Sequence, residues 1–519
     1  MLSTLIWLPL VGALLVGCLP GGIPVKQLRF GTIAIVTVAL LWSLWLLTQF
    51  DLSSATFQMP EYLPWIPTLG LNYSLAIDGL SLPLVALSNL LTIVAIFASE
   101  LVGKTALPLQ RPRLFYVLVL LINAGMAGAL MAQNLLLFFL FYELELIPFY
   151  LLIVIWGGAK REYAGMKFLI YTALSGILIL AAFLAIGWLT GSNFDYETIQ
   201  TGDLSQRTQL ILLTLLLVGF GIKIPLIPLH TWLPDAYVEA STPTAILLGG
   251  VLSKLGVYGL VRFGLGLFPE TWSLVTPGLA LIAAICVMYG AMAAIAQKDI
   301  KRMVAYSSIG HMGYVLLGAA ALTPLSMVGA VAQMVSHGLI LALLFYLVGT
   351  IEAKVGTREL DVLNGLLNAI RGLPMTSALL VLAGMASAGI PGMVGFISEF
   401  LVFQGSYPIF PLQTLLCVVG TGLTAVYFVI MLNRTCFGKL DTATAYYPKV
   451  TLWEQVPALA LTALIIWLGI QPTWLVRWSE TTTATLAGSA PIAHRIVALE
   501  PTASLNHPLS AQVVTPSLQ

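Results

Sequence analysis

Glu143, Lys223, Lys254, His337 and Glu399 each interrupt a long apolar run, in LLLFFLFYELELIPFYLLIVIW, LILLTLLLVGFGIK, LLGGVLSKLGVYGL, AVAQMVSHGLILALLF and GIPGMVGFISEF respectively. Carboxylate, amine and imidazole groups take up and release protons, and burial or a charged neighbour tunes when they do so. A row of them with water between can hand protons across a bilayer. Each charge near mid-membrane costs about 2.5–3.5 kcal/mol. Any one has an ordinary explanation: a lysine can snorkel, and a lone histidine is often simply bonded in a core. Lys254, however, has about twelve residues on either side within its segment, ~18 Å at 1.5 Å per residue, too far for its amine to reach an interface. Five such residues on five segments are better explained by acid and base sharing one polar seam. His311, in SSIGHMGY, starts a further segment and can face the same seam. Glu145 follows Glu143 by two positions and would point roughly 200° away on a regular helix. It therefore ranks second, with His230 and Asp235 of LHTWLPDA.

The stretch FGIKIPLIPLHTWLPDA predicts a broken helix. Pro225 and Pro228 remove backbone donors and clash with the preceding turn, so the helix must end near Lys223. A break within lipid survives only where protein or water satisfies the freed carbonyls, which makes a hydrated pocket beside Lys223. Trp232 reads as an interfacial anchor at the inner face. GMASAGIPGMVGFISEF repeats the pattern, with Gly389, Pro391, Gly392 and Gly395 ahead of Glu399. The two interrupted segments stand five apart, an odd step that reverses chain direction. Broken helices in matching positions of inverted repeats point to ion sites.

These residues need a scaffold, and composition identifies it. The 519-residue chain is 59% hydrophobic and 9% charged, against about 25% charged in a soluble domain. It reads as an all-α polytopic membrane protein of about fourteen transmembrane helices. The expected limits are 2–22, 30–49, 80–102, 114–132, 134–156, 164–190, 208–229, 242–266, 272–296, 301–322, 325–350, 373–405, 411–433 and 453–470. The expected units are residues 1–103 (spans 1–3), 114–266 (the first five-helix repeat, seventh span broken), 272–436 (the second, inverted repeat, twelfth span broken), 453–470 (span 14) and 471–519 (an exposed tail). The N-terminal run lacks the basic n-region of a signal peptide, its first basic residue being Lys26, so it reads as a retained span that begins outside.

Charge supports that count. With the N-terminus outside, the inner loops carry Lys26, Arg29, Lys104, Arg111, Arg113, Lys160, Arg161, Lys167, Lys298, Lys301, Arg302, Lys354, Arg358, Arg371, Arg434, Lys439 and Lys449, most of the 23 Lys and Arg. The outer side carries only Arg207, Arg262, Arg477 and Arg495. This is the positive-inside bias, and it puts the C-terminus outside too. The four cysteines, Cys18, Cys286, Cys417 and Cys436, have no disulfide or metal spacing. No phosphate loop is present, GFGIKI lacks a dinucleotide-site context, and no basic tract points to nucleic acid. No cofactor or metal site is expected in this chain.

FYELELIPFYLLIVIWGG, GIKIPLIPLHTWLPDAYVEASTPTAILLGGVLSKLGVYGLVRF, KDIKRMVAYSSIGHMGY and GIPGMVGFISEF together resemble the antiporter-like subunits of complex I, over roughly spans 3–14. The resemblance implies fourteen helices with two inverted five-helix repeats, a Glu143–Lys223 pair, and Lys254 as a central lysine relaying through His311 and His337 to Glu399 at the outward exit. Two of three paralogues usually carry lysine at the twelfth-span site; Glu399 matches the subunit 4 (M-type) paralogue. Tyr142 stands where the family often has Trp, and VEASTPTA where it has VEAPTAGS. The AIDGLSLPLVALSN and FYELELIPFYLLI variants are most similar to the cyanobacterial and chloroplast form. That form implies a proton-translocating membrane-arm subunit in a thylakoid complex that takes electrons from ferredoxin and reduces plastoquinone. Its quinone, iron–sulfur clusters and electron donor belong to other subunits, and paralogous antiporter-like subunits and lipids are its neighbours. Two alternatives remain: an Mrp-type monovalent cation/proton antiporter subunit, which shares most of these motifs, and a haem protein using His311 and His337 as axial ligands.

Overall fold

In a computed structural model, which describes residues 1–20, 22–102, 109–439 and 447–489, the chain is a helical membrane bundle. The helices are α1 (Ser3–Cys18), α2 (Val25–Gln49), α3 (Ser81–Val102), α4 (Pro112–Met131), α5 (Leu135–Leu144), α6 (Leu146–Trp156), α7 (Arg161–Thr190), α8 (Gln206–Lys223), α9 (Trp232–Glu239), α10 (Thr242–Leu247), α11 (Ser253–Gly259), α12 (Pro269–Ile295), α13 (Ile300–Ala321), α14 (Pro324–Val355), α15 (Pro374–Ser387), α16 (Val394–Ser406), α17 (Pro411–Thr435), α18 (Leu452–Ile470), α19 (Thr473–Val476) and α20 (Glu480–Gly488). Every segment expected to span the membrane contains helix. Among the described residues, ten helices are long and apolar enough to cross a bilayer, counting α5–α6 and Thr242–Leu265 as one each. Ser3–Cys18, Pro374–Ser387 and Val394–Ser406 are apolar but shorter.

Helix starts follow local chemistry. Asn134 caps α5 through Leu136 N and Leu137 N, at 3.1 and 3.2 Å. Asp299 caps α13 through Lys301 N at 2.7 Å. Thr323 opens α14 and Thr451 opens α18 with capping boxes. The outer helices α2, α7 and α17 present aliphatic side chains such as Leu41, Ile177 and Val429 outward. The eighth segment, Thr242–Leu265, is enclosed on all sides, and α14 almost so. Those enclosed helices carry Lys254 and His337, because a bundle interior is the one place in a membrane where polar side chains find protein partners.

Four features depart from expectation. A hairpin, β1 (Gln58–Ile66) and β2 (Leu71–Ile77), fills the loop between α2 and α3. Glu61 of β1 accepts hydrogen bonds from the backbone of Leu2 and Ser3 at 2.6 and 3.1 Å and pairs with the Met1 amine. Residues 471–489 are not an exposed tail. Thr482 and Thr483 of α20 are buried, and α20 is bonded in place by Gly79 N to Thr482 Oγ1 (3.1 Å) and Thr481 Oγ1 to Leu52 O (2.6 Å). Met1, the hairpin and α20 thus gather at one end of the bundle. The remainder of the predicted tail with Arg495, and Lys104, lie outside the described residues. Third, the fifth segment is jointed at Glu145, between α5 and α6. Pro148 supplies no N–H to the Leu144 carbonyl, so the regular ladder cannot continue through that turn. Fourth, Thr242–Leu265 widens into π-helical turns at Leu248–Leu252 and Leu260–Leu265, on either side of Lys254. Such bulges recur at functional sites.

Candidate functional site

The first break forms as predicted: α8 ends at Lys223 and helix resumes only at Trp232. Trp232 is not an interfacial anchor, however. It is fully buried and donates its Nε1 to the Ile222 carbonyl at 2.8 Å, so it satisfies one of the carbonyls that the break releases. One turn before the break, the Ser175 hydroxyl of α7 also donates to Gly219 O, at 2.7 Å.

Lys223 is buried, and its carboxylate partner is Glu145 rather than the expected Glu143. Lys223 Nζ lies 2.6 Å from Glu145 Oε1 and 3.3 Å from the Tyr142 carbonyl. It also sits 3.2 Å from the centre of the Tyr142 ring, a cation–π contact. The expectation rested on one regular helix, and the joint at Glu145 removes that premise. Glu143 is half-buried, without an ion pair within 4 Å among the described residues; its carboxylate rests against Gly176 of α7, where any larger residue would collide with it. Glu143 is therefore the unattached acid of the two, two residues before the attached one.

The second group is a row of four ionisable side chains. Lys254 Nζ lies 2.6 Å from His337 Nδ1, 2.6 Å from the Gly249 carbonyl and 3.4 Å from Ser253 Oγ. The His337 and His311 rings are 5.3 Å apart, centre to centre. His311 Nε2 meets Ser387 Oγ at 2.9 Å, and its Nδ1 lies 3.3 Å from Gln333 Nε2 and 3.5 Å from Glu399 Oε1. Thr421 Oγ1 donates to Glu399 Oε2 at 3.1 Å and meets Tyr314 Oη at 3.0 Å. The second break, between α15 and α16, makes room for Glu399: Gly389 has a left-handed φ of +69°, and a Cβ there would stand 3.0 Å from Glu399 Oε2. Gly392, after Pro391, is also left-handed, with φ of +92°.

The structure thus brings Lys254, His337, His311 and Glu399 together, and sets Lys223 with Glu143 and Glu145 in a second cluster. Among the described residues no hydrogen bond or ion pair joins the two. His230 and Asp235 belong to neither. His230 is buried beside Tyr289, ring centres 5.0 Å apart, and Asp235 pairs with Lys167 at 2.7 Å and Arg302 at 3.5 Å. Sequence reasoning missed the neutral members of the row. Gln333, Ser336 and His337 share a helix face by their spacing, and Gln333 Oε1 accepts from Ser336 Oγ (3.2 Å) and from Ser398 Oγ. It also misplaced Arg262, counted as an outer-loop charge. Arg262 is buried and paired with Asp78.

The comparisons fit this geometry. Residues 132–424 match the family model described as NADH:quinone oxidoreductase/Mrp antiporter, TM, which covers both breaks and the whole row. Residues 28–127 match the NADH-ubiquinone oxidoreductase chain 4 amino terminus. The chain belongs to the NAD(P)H-quinone oxidoreductase chain 4 family. A curated member, NAD(P)H-quinone oxidoreductase chain 4 2 of Thermosynechococcus vestitus, is 40% identical over 94% of this chain and 91% of its own length. A chain of respiratory complex I from Thermus thermophilus superposes with a TM-score of 0.85 at 26% identity, covering 94% of this chain and 99% of that one. A chain of the Mrp complex from Dietzia shares the fold, with a TM-score of 0.84 at 20% identity over 95% and 99% of the two chains. In the chain 4 family setting, the amino-terminal match lies outside the segment that the Mrp description covers.

Proposed function

We propose that this chain conducts protons across the membrane as an antiporter-like subunit in the membrane arm of a cyanobacterial-type, quinone-reducing complex. The observation that carries the reading is the row of Lys254, His337, His311 and Glu399, in which only the step between the two imidazole rings, 5.3 Å apart, has no direct hydrogen bond and needs a water or a ring rotation to close it. Each neighbour in that run is a group that can both receive and release a proton, and Ser387, Gln333 and Thr421 orient them. Lys223, clamped between Glu145 and Tyr142, is the loading site of the first half. A shift of Lys223 from Glu145 to Glu143 is the switch that loads or empties it. The chain makes no bond of its own in this scheme; electron donor and quinone react elsewhere in the complex. In this reading both ends of the chain face the lumen of a thylakoid membrane, which the basic inner loops support. Its neighbours are other membrane-arm subunits, paralogues among them, and lipid.

Purification of the intact complex tests this. The expected result is co-purification with quinone-reductase subunits, and vesicle acidification driven by quinone reduction. Isolation without them, with sodium exchanged for protons instead, would favour the Mrp-type reading, which the shared fold supports and the chain 4 amino terminus disfavours. The haem reading is weaker on geometry: His337 Nδ1 is engaged by Lys254, and both nitrogens of His311 lie against protein side chains.

A further inference from the structure

Lys254, Tyr258 and Arg262 follow one another at four-residue spacing along the enclosed eighth segment, so they lie close to one face with about 6 Å of rise between each. All three are buried, as is Asp78, the partner of Arg262. Asp78 sits at the end of the bundle where Met1, the hairpin and α20 meet, immediately before Gly79, whose N–H is bonded to Thr482. It also holds the start of α3, accepting from Ser81 N at 3.0 Å. Phe57 and Tyr196 stand over the Arg262 guanidinium, 4.8 and 5.8 Å from its carbon to their ring centres, and Tyr258 stands 5.4 Å away on the inner side.

Two polar atoms here are orphaned. The Tyr258 hydroxyl and Arg262 Nε are buried without a hydrogen bond of regular geometry, the hydroxyl having the Arg262 guanidinium as its near polar neighbour. Buried polar groups are almost always satisfied, and in a wet, polar site by water. An incompletely bonded hydroxyl on the face shared by a central lysine and an ion pair is also poor structural economy, because a phenylalanine would pack there without the unmet donor. The π-helical turn at Leu260–Leu265, which carries Arg262, adds a local distortion at the same place.

We propose that Tyr258 and the Asp78–Arg262 pair form a second, outward branch from Lys254, with the ion pair as its gate. This rests on the proton-conducting reading above. Lys254 gives up one proton from Nζ; the Tyr258 hydroxyl passes its own proton to water at Arg262 and is reprotonated from the lysine side. When the ion pair parts, the Asp78 carboxylate takes the proton and releases it at the outer face. No electron moves, and each proton lost by one group is gained by the next.

The test uses the assembled complex in sealed vesicles, with Tyr258→Phe, Asp78→Asn and, as a control, Lys254→Ala. Native gels follow assembly, and the proton-to-electron ratio is measured during quinone reduction. Tyr258→Phe removes a hydroxyl without a hydrogen bond of regular geometry, so normal assembly is expected. Its ratio is expected to fall by at least half of the drop produced by Lys254→Ala. Asp78→Asn, where it assembles, removes the last proton acceptor of the branch, and its ratio is expected to fall as far as that of Tyr258→Phe; a wild-type ratio there also overturns the branch. A wild-type ratio in Tyr258→Phe beside a lowered one in Lys254→Ala overturns the branch and leaves the main reading intact. Loss of assembly in Tyr258→Phe also overturns it, since the hydroxyl would then be structural. A wild-type ratio in Lys254→Ala would sink the main reading instead.

Discussion

Lys223 and Lys254 are both buried lysines beside distorted helix, yet they are held in opposite ways. Lys223 faces a carboxylate at 2.6 Å and an aromatic ring at 3.2 Å. Lys254 has no acid within bonding distance among the described residues. Its close partners are an imidazole nitrogen, a backbone carbonyl and a serine hydroxyl. An amine and an imidazole nitrogen 2.6 Å apart share one proton, since one must donate and the other accept. In the proposed scheme the first lysine keeps its proton until its partner moves, and the second hands one on. The difference explains why the first cluster keeps a spare acid, Glu143, and the second an extended row.

The comparison can be broken most severely at Lys223. Lys223→Ala leaves Glu145 buried without its partner, which costs about 3–5 kcal/mol in such pairs. The expected outcome is poor assembly on native gels, with recovery of assembly but not of pumping in the Glu145→Gln/Lys223→Gln double variant. His337→Ala removes the step between Lys254 and His311; pumping by this chain is expected to fall by about 10²-fold, the low end for loss of a proton-transfer group, with quinone reduction and assembly retained. Glu143 and Glu145 sharpen the contrast within one jointed segment. Glu145→Gln is expected to lower the melting temperature of the complex. Glu143→Gln, which breaks no bond present in the structure, is expected to leave it unchanged while slowing pumping. Equal melting temperatures would mean that the two acids share Lys223 equally. The smallest effect belongs to Thr421→Ala, which removes one hydrogen bond to Glu399, worth about 0.5–1.5 kcal/mol. Pumping is expected to slow several-fold, and the protein to stay folded.

Much of this was legible in the sequence, for a physical reason. A charge in lipid is so costly that Lys254, His337 and Glu399 announce themselves, and two prolines after Lys223 leave no regular helix possible. What stayed hidden lacks such a cost. Ser387, Gln333 and Thr421 are of residue types common in membrane helices, so only their contacts reveal them. Glu145 was set second because helix periodicity assumes an unbroken ladder, and Pro148 acts on the turn before it. Trp232 followed the general habit of tryptophan at membrane interfaces, but an unsatisfied Ile222 carbonyl nearby claimed its N–H. Arg262 looked like an outer-loop charge because its partner, Asp78, lies far away in the chain, beyond any local pattern.

The central claim is that the Lys254–His337–His311–Glu399 row carries protons. The most direct test is the proton-to-electron ratio of the assembled complex bearing Lys254→Met, which keeps the length and apolar body of the side chain and removes only the proton-carrying amine. The account predicts continued quinone reduction with a lowered ratio. An unchanged ratio in a fully assembled complex would contradict it.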